Sequence, residues 1–256
     1  MGCLLTKADG VGSVGEKQAT LGIYEPPATL VFNASSETVG SIASSGTDGT
    51  INLGANTLTT GGNNQTTSYG GAITGTGSLT KVSTGTMTLA GATTYNGTTT
   101  VTEGGLIIDA ANASALVDVA SGARVGGDGI INGNLNLVSG ANFIFSDTMV
   151  LDVVGTVTLT SGFGVASLVA ADGGVVNWGL VAEGTYTLIG NTTSDYTGIS
   201  NFGILNQDVL GGGKNGYFET TVDGLGLVVV PEPQVWALIA IGLASVFFFR
   251  LRRRSA

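Results

Sequence analysis

The chain has 256 residues, 43 of them Gly, with 9 Lys+Arg against 18 Asp+Glu, no His and one Cys. Without His or a second Cys, no Ser-His-Asp triad, Cys-His pair, His-ligated metal site or internal disulfide can be assembled. Four of the nine cations stand at positions 250, 252, 253 and 254, leaving five against 18 acids in the rest, a net −13 that repels phosphate backbones and argues against nucleic acid as a partner.

Charged residues make up only 11% and hydrophobic ones 43%, the balance of a packed chain rather than a disordered one. Glycine is scattered among Thr, Ser, Asn, Val and Leu with no three-residue period. That excludes collagen and favours turn-dense β-structure.

Residues 1–28 read as an irregular N-terminal segment. They offer no apolar core long enough for a signal peptide, and an exported protein needs one, so the sequence predicts that this end is truncated. Gly10-Val11-Gly12-Ser13-Val14-Gly15 fits G-x-G-x-x-G, yet Leu4 to Asp9 is a poor strand and Glu16 to Tyr24 leads into Pro26-Pro27. The nucleotide-binding context is therefore missing. Met1-Gly2-Cys3-Leu4-Leu5-Thr6 matches a myristoylation pattern, which conflicts with the export reading of the tail below.

From residue 29 onward, short apolar alternations are broken by Gly or Asn every few positions, the pattern of strands. Candidates are Thr29 to Phe32, Thr50 to Leu53, Thr57 to Thr60, Ser78 to Val82, Thr86 to Leu89, Thr98 to Val101 and Leu106 to Asp109. Further along come Leu116 to Val119, Gly129 to Ile131, Leu135 to Val138, Asn142 to Phe145, Val150 to Val154, Thr156 to Thr160, Thr185 to Ile189 and Leu225 to Val230. Periodicity alone leaves an antiparallel sandwich and a stacked parallel coil both open. Recurrence of the alternation at 52–60, 87–95, 132–137 and 156–160 favours the coil, whose rungs bury the apolar side of each strand.

The run Tyr69-Gly70-Gly71-Ala72-Ile73-Thr74-Gly75-Thr76-Gly77-Ser78-Leu79-Thr80-Lys81, continuing through Gly85-Thr86-Met87-Thr88-Leu89 and Tyr95-Asn96-Gly97-Thr98-Thr99 to Gly105-Leu106, resembles the autotransporter-associated β-strand repeat. The resemblance covers about 49–145. It implies rungs of a right-handed β-helix and names a scaffold rather than an activity. Ser78 and Ser83 replace glycines of that pattern, substitutions expected to straighten a corner. The organisation expected is all-β: a β-helix over 29–160, a β-rich cap over 161–229 that covers the last rung, and a tail over 230–256.

In that tail, Pro231-Glu232-Pro233 precedes an uncharged apolar span from Val235 to Phe249, which Arg250, Arg252, Arg253 and Arg254 follow. As a helix the span crosses the membrane through residues 234–251, and the arginines set its end on the cytoplasmic side. The ordered triplet resembles the PEP-CTERM sorting signal of Gram-negative bacteria. This resemblance implies that Pro231, Glu232 and Pro233 are recognised by an exosortase-type enzyme. It further implies an inner-membrane helix before processing, stop-transfer arginines, and delivery of the body to the cell envelope, surface or exterior.

No residue here is assigned to catalysis, a cofactor or a metal. Asp128 in Gly126-Gly127-Asp128-Gly129 is one partial copy of a calcium-binding nonapeptide and reads better as a turn Asp bonding its own backbone. Glu103 with Asp109, or Asp147 with Asp152, are the acid pairs a glycoside hydrolase would need. Tyr69, Tyr95, Tyr186, Tyr196 and Tyr217 are spaced for strand and corner packing. The expected function is a non-enzymatic, surface-displayed structural or adhesive protein. The alternatives are a polysaccharide-binding or polysaccharide-degrading passenger and a permanently membrane-anchored ectodomain.

Overall fold

A computed structural model describes residues 4–7, 20–22, 29–32, 35–44, 46–47, 49–160, 162–191, 199 and 208–231. Strands a few residues long succeed one another around a coil, and each pairs in parallel with a strand about one turn further along the chain. The offset is visible in register pairs such as Ser78 with Thr57 and Thr86 with Gly105.

Three faces result. Face 1 runs through Leu4–Lys7, Thr29–Phe32, Thr50–Asn52 and Ala72–Thr74, crosses a one-residue bridge at Thr93, and continues through Ala111–Asn112, Ile130–Ile131 and Leu151–Val153. Face 2 is a seven-stranded sheet of Glu37–Thr38, Thr57–Thr60, Ser78–Lys81, Thr98–Val101, Leu116–Val119, Asn134–Leu137 and Val157–Leu159. Face 3 is a six-stranded sheet of Thr67–Tyr69, Thr86–Leu89, Gly105–Ile108, Arg124–Gly126, Asn142–Ile144 and Leu168–Val169. Below it Thr20–Gly22 pairs with Ser41–Ala43, and Ser44 N donates to Ser68 O at 3.1 Å to continue the column.

The period-2 alternation explains the packing. On face 2, Leu58, Leu79, Thr99, Val117, Leu135 and Val157 oppose one another in register, and all are buried. On face 3, Met87, Leu106, Val125, Phe143 and Leu168 form the corresponding inner file. Alternate side chains point out of the sheet, so each rung buries one apolar row and presents one polar row. Corners need glycine where backbones nearly touch. A Cβ on Gly77 would lie 2.0 Å from Asn56 O, and one on Gly127, at φ +134°, would lie 2.1 Å from Ile108 O.

Beyond its last rung the sheet of face 1 continues but changes from parallel to antiparallel. Gly184–Gly190 pairs in parallel with Leu151–Val153 and then antiparallel with Gly224–Pro231. That strand pairs with Lys214–Thr221, which pairs with Asp208–Gly211. Three ring contacts tie this sheet and its connecting loops to the coil: Phe145 with Trp178 at 5.1 Å, Phe145 with Tyr186 at 5.8 Å, and Phe163 with Phe218 at 5.7 Å.

Two local expectations are corrected. Leu4–Lys7, poor in strand character by composition, pairs with Thr29–Phe32 in full register, because a parallel partner supplies what local propensity does not. Ser83 does not straighten its corner. It takes φ +62°, the left-handed conformation of the glycine it replaces.

Among the described residues there is no α-helix, the short 3-10 turn Val165–Ser167 aside, and no helix long and apolar enough to cross a membrane. The expected membrane helix over 234–251 lies outside the described residues.

Candidate functional site

Four polar clusters are considered among the described residues. The first is the corner after Ser78–Lys81. The Lys81 side chain turns inward and is 1% exposed, and its Nζ donates to the carbonyls of Val82 at 2.7 Å, Ser83 at 2.8 Å and Glu103 at 3.3 Å. Burial, aided by Arg124, lowers its pKa to about 8, and Glu103 acts in the opposite sense. The ammonium thus stitches one corner to the next rung.

The second place lies inside the coil. Tyr95 OH meets Thr99 Oγ1 at 2.6 Å and accepts from Asn112 Nδ2 at 3.3 Å, while Asn112 Oδ1 accepts from Ser114 N at 3.0 Å and from Ser114 Oγ. All four side chains are buried. Each polar side-chain atom of this network has at least one partner, which is the condition for burying it at all. Burial pushes the Tyr95 phenol up to about 12. Tyr69, also buried, donates to Gly49 O at 3.3 Å, and its pKa is likewise raised by burial.

The third place is the outside of face 3. Arg124 lies over Gly105 to reach Thr86 Oγ1 at 2.8 Å, and its Nε donates to Ala171 O at 3.1 Å. Thr86 Oγ1 donates to the same carbonyl at 3.2 Å. The segment after Leu168–Val169 is thereby strapped back across the sheet.

The fourth is an open groove of about 380 Å³ where coil and antiparallel sheet meet, lined by Asp152, Val153, Val154, Gly190, Asn191, Val222 and Asp223. Asn191 Nδ2 anchors its floor by donating to the carbonyls of Val153 at 2.8 Å and Gly155 at 2.6 Å.

The residues singled out by sequence fall as follows. Glu103 and Asp109 are both exposed, at corners on opposite ends of the strand Gly105–Ile108. Asp147 is exposed in the turn after Asn142–Ile144, and Asp152 is exposed on Leu151–Val153. Asp128 does not close its own turn. Its amide donates to Asp109 Oδ1 at 3.3 Å and its Oδ1 accepts from Val150 N at 3.4 Å, so acids at this corner link successive rungs. Among the described residues no group of three or more His, Cys, Asp or Glu could hold a metal ion.

Tyr186 is half-buried against Phe145, and Tyr217 is half-buried within Lys214–Thr221. Pro231 ends the strand Gly224–Pro231, exposed and opposite Lys214. Glu232, Pro233, Arg250, Arg252, Arg253, Arg254, Tyr196 and the Gly10–Gly15 run lie outside the described residues. Sequence reasoning missed the interior Lys81 and the Tyr95–Asn112 network. The one signal for Lys81 was its fixed place in the repeat pattern.

No family model matches the chain, and no solved structure matches it. Among curated proteins it is similar to the adhesin BmaC autotransporter of Brucella suis biovar 1, with 35% identity over 101 residues. That stretch is 36% of this chain and 3% of the adhesin, so the chain spans a small fraction of the relative it matches.

Proposed function

We infer that the chain is a surface-displayed adhesive or structural passenger of a Gram-negative cell envelope, without catalytic activity of its own. The observation that carries this reading is the parallel solenoid itself, taken with the 101-residue similarity to an autotransporter adhesin. A solenoid repeats one surface at every rung and extends without needing a second layer to bury its core, which suits a rod that projects and adheres. The chemistry found inside it is structural, since Lys81, Tyr95 and Asn112 are all turned towards backbone or one another.

Export and sorting complete the reading. Pro231-Glu232-Pro233 is taken as the element an exosortase-type enzyme recognises. Residues 234–251 hold the precursor in the inner membrane, and Arg250, Arg252, Arg253 and Arg254 stop transfer until the body is released to the envelope or surface. Protease shaving of intact Gram-negative cells, combined with the mass of the mature protein, tests both halves. Cleavage of the Gly/Thr-rich body from outside together with loss of the Arg-rich tail is expected. A body protected from external protease refutes display, and a retained Arg tail refutes sorting while leaving a permanently anchored ectodomain.

A further inference from the structure

Along face 2 one outward position stays in unbroken register from end to end. Thr38 opposes Thr59, Thr59 opposes Thr80, Thr80 opposes Thr100, Thr100 opposes Asp118, Asp118 opposes Asn136, and Asn136 opposes Thr158. All are half-exposed or exposed. With neighbouring strands ~4.8 Å apart, these polar side chains form a straight file about 29 Å long. The hydroxyls of Thr38, Thr59, Thr80, Thr100 and Thr158 bond no protein group among the described residues. In the adjacent file, by contrast, Ser36 and Ser78 Oγ accept from the amides of Thr57 and Thr98 at 3.0 and 3.2 Å. Asn136 Nδ2 donates to Asp118 Oδ1 at 2.6 Å, which fixes both side chains and leaves each a further acceptor oxygen.

We propose that this face binds a linear, uncharged polysaccharide lying along the solenoid axis, a proposal that rests on the adhesive reading and names its ligand. A chain laid along the axis meets one rung every ~4.8 Å, so an extended polymer presents its hydroxyls to successive threonines of the file. Each free threonine hydroxyl both donates and accepts, as sugar hydroxyls do. Charge selects among polymers. The chain's net charge of −9 disfavours anionic glycans, and Asp118, the one charged member of the file, is already paired with Asn136. An ordered water lattice would need hydroxyls repeating in two dimensions. The second file does not supply them, because Ser78 is engaged and Leu116 and Asn134 succeed Thr98.

The test is titration calorimetry of the full chain with cello-, laminari- and mannohexaose, and with oligogalacturonate as the charged control. Two variants accompany the wild type: Thr80→Lys, and the double change Thr59→Val with Thr100→Val, which preserves strand propensity and whose fold is checked by circular dichroism. Saturable binding to a neutral hexasaccharide is expected, with none to oligogalacturonate. Affinity should fall about tenfold in the double valine variant and by more in Thr80→Lys. No neutral binding, or equal binding by wild type and variants, overturns the proposal. So does ice-growth inhibition or self-association that depends on Thr80 in place of glycan binding. Surface display and cell adhesion of the same proteins separate the two readings: adhesion without glycan binding sinks only this proposal, whereas glycan binding without display sinks only the adhesive passenger.

Discussion

Ser83 holds φ +62° at a corner where the repeat pattern carries glycine. A side chain there costs roughly 1 kcal/mol through the clash of Cβ with the following carbonyl, partly offset by the extra freedom glycine brings to the unfolded chain. Ser83→Gly is therefore expected to stabilise the protein by up to about 1 kcal/mol in denaturant unfolding; destabilisation would show that the serine itself holds the corner. Two residues from it in sequence, Lys81 is held by three carbonyls. Lys81→Met keeps the stem and removes the donor, so it should cost about 2 kcal/mol by leaving buried acceptors unpaired. The titration of Lys81 has a definite sign. Its folded pKa, about 8, lies below the ordinary 10.5, so between those values the unfolded chain binds more protons and stability from this group rises with pH. Tyr95 works in the other direction. Its folded pKa of about 12 lies above the ordinary 10.0, so its contribution is complete below pH 10 and is lost as pH passes 12. Chemical denaturation from pH 7 to 12 with phenolate absorbance should show a rise followed by a collapse; a Lys81→Met variant that keeps the rise would discredit its assignment. Of these residues Ser83 and Tyr95 stood out in the sequence and the interior Lys81 did not, because alternation says which apolar side chains turn inward and is silent on which polar ones accompany them.

Among elements, the strap across face 3 depends on an absence. Gly105 stands in register between Thr86 and Arg124, and a Cβ there would lie 2.9 Å from both Arg124 Nε and Thr86 Oγ1. The guanidinium occupies the space a side chain would fill. Arg124→Leu removes the bonds to Thr86 and to Ala171 and should cost about 2 kcal/mol. Hydrogen exchange confined to residues 170–174 should quicken in this variant, whereas uniform acceleration over the coil would mean the strap is not a separate unit. The longer strands of faces 2 and 3 were legible from their period-2 pattern. Glu37–Thr38, Ser41–Ala43, Thr67–Tyr69, Ala72–Thr74, Ala111–Asn112, Arg124–Gly126 and Leu168–Val169 were not, being too short to show a clear alternation, and neither was the eight-residue Lys214–Thr221, where Tyr217 and Phe218 stand side by side.

For the molecule as a whole, the antiparallel strands cover the end of face 1, while Val157–Leu159 and Leu168–Val169 are the last strands of faces 2 and 3. Gly184–Gly190 takes up the free edge of Leu151–Val153, and Phe163 meets Phe218 across the junction. An uncovered parallel end offers unpaired amides and carbonyls to any other strand. A chain ended after residue 160 is expected to self-associate in sedimentation velocity where the full chain does not. A monodisperse truncated species would show that the terminal sheet is dispensable for solubility.

The sequence by itself determined that residues 29–229 read as β and contain a recurring rung, and that the chain is acidic and free of histidine chemistry, because composition and alternation are local properties of the chain. The tertiary structure bore out the parallel pairing that repetition favoured, and it alone decided the choice of Lys81 and Tyr95 as interior polar groups and the alignment of Thr38 through Thr158 into one file. Those follow from the register between rungs some 20 residues apart, and a one-residue slip would send each of those side chains to the opposite face of its sheet.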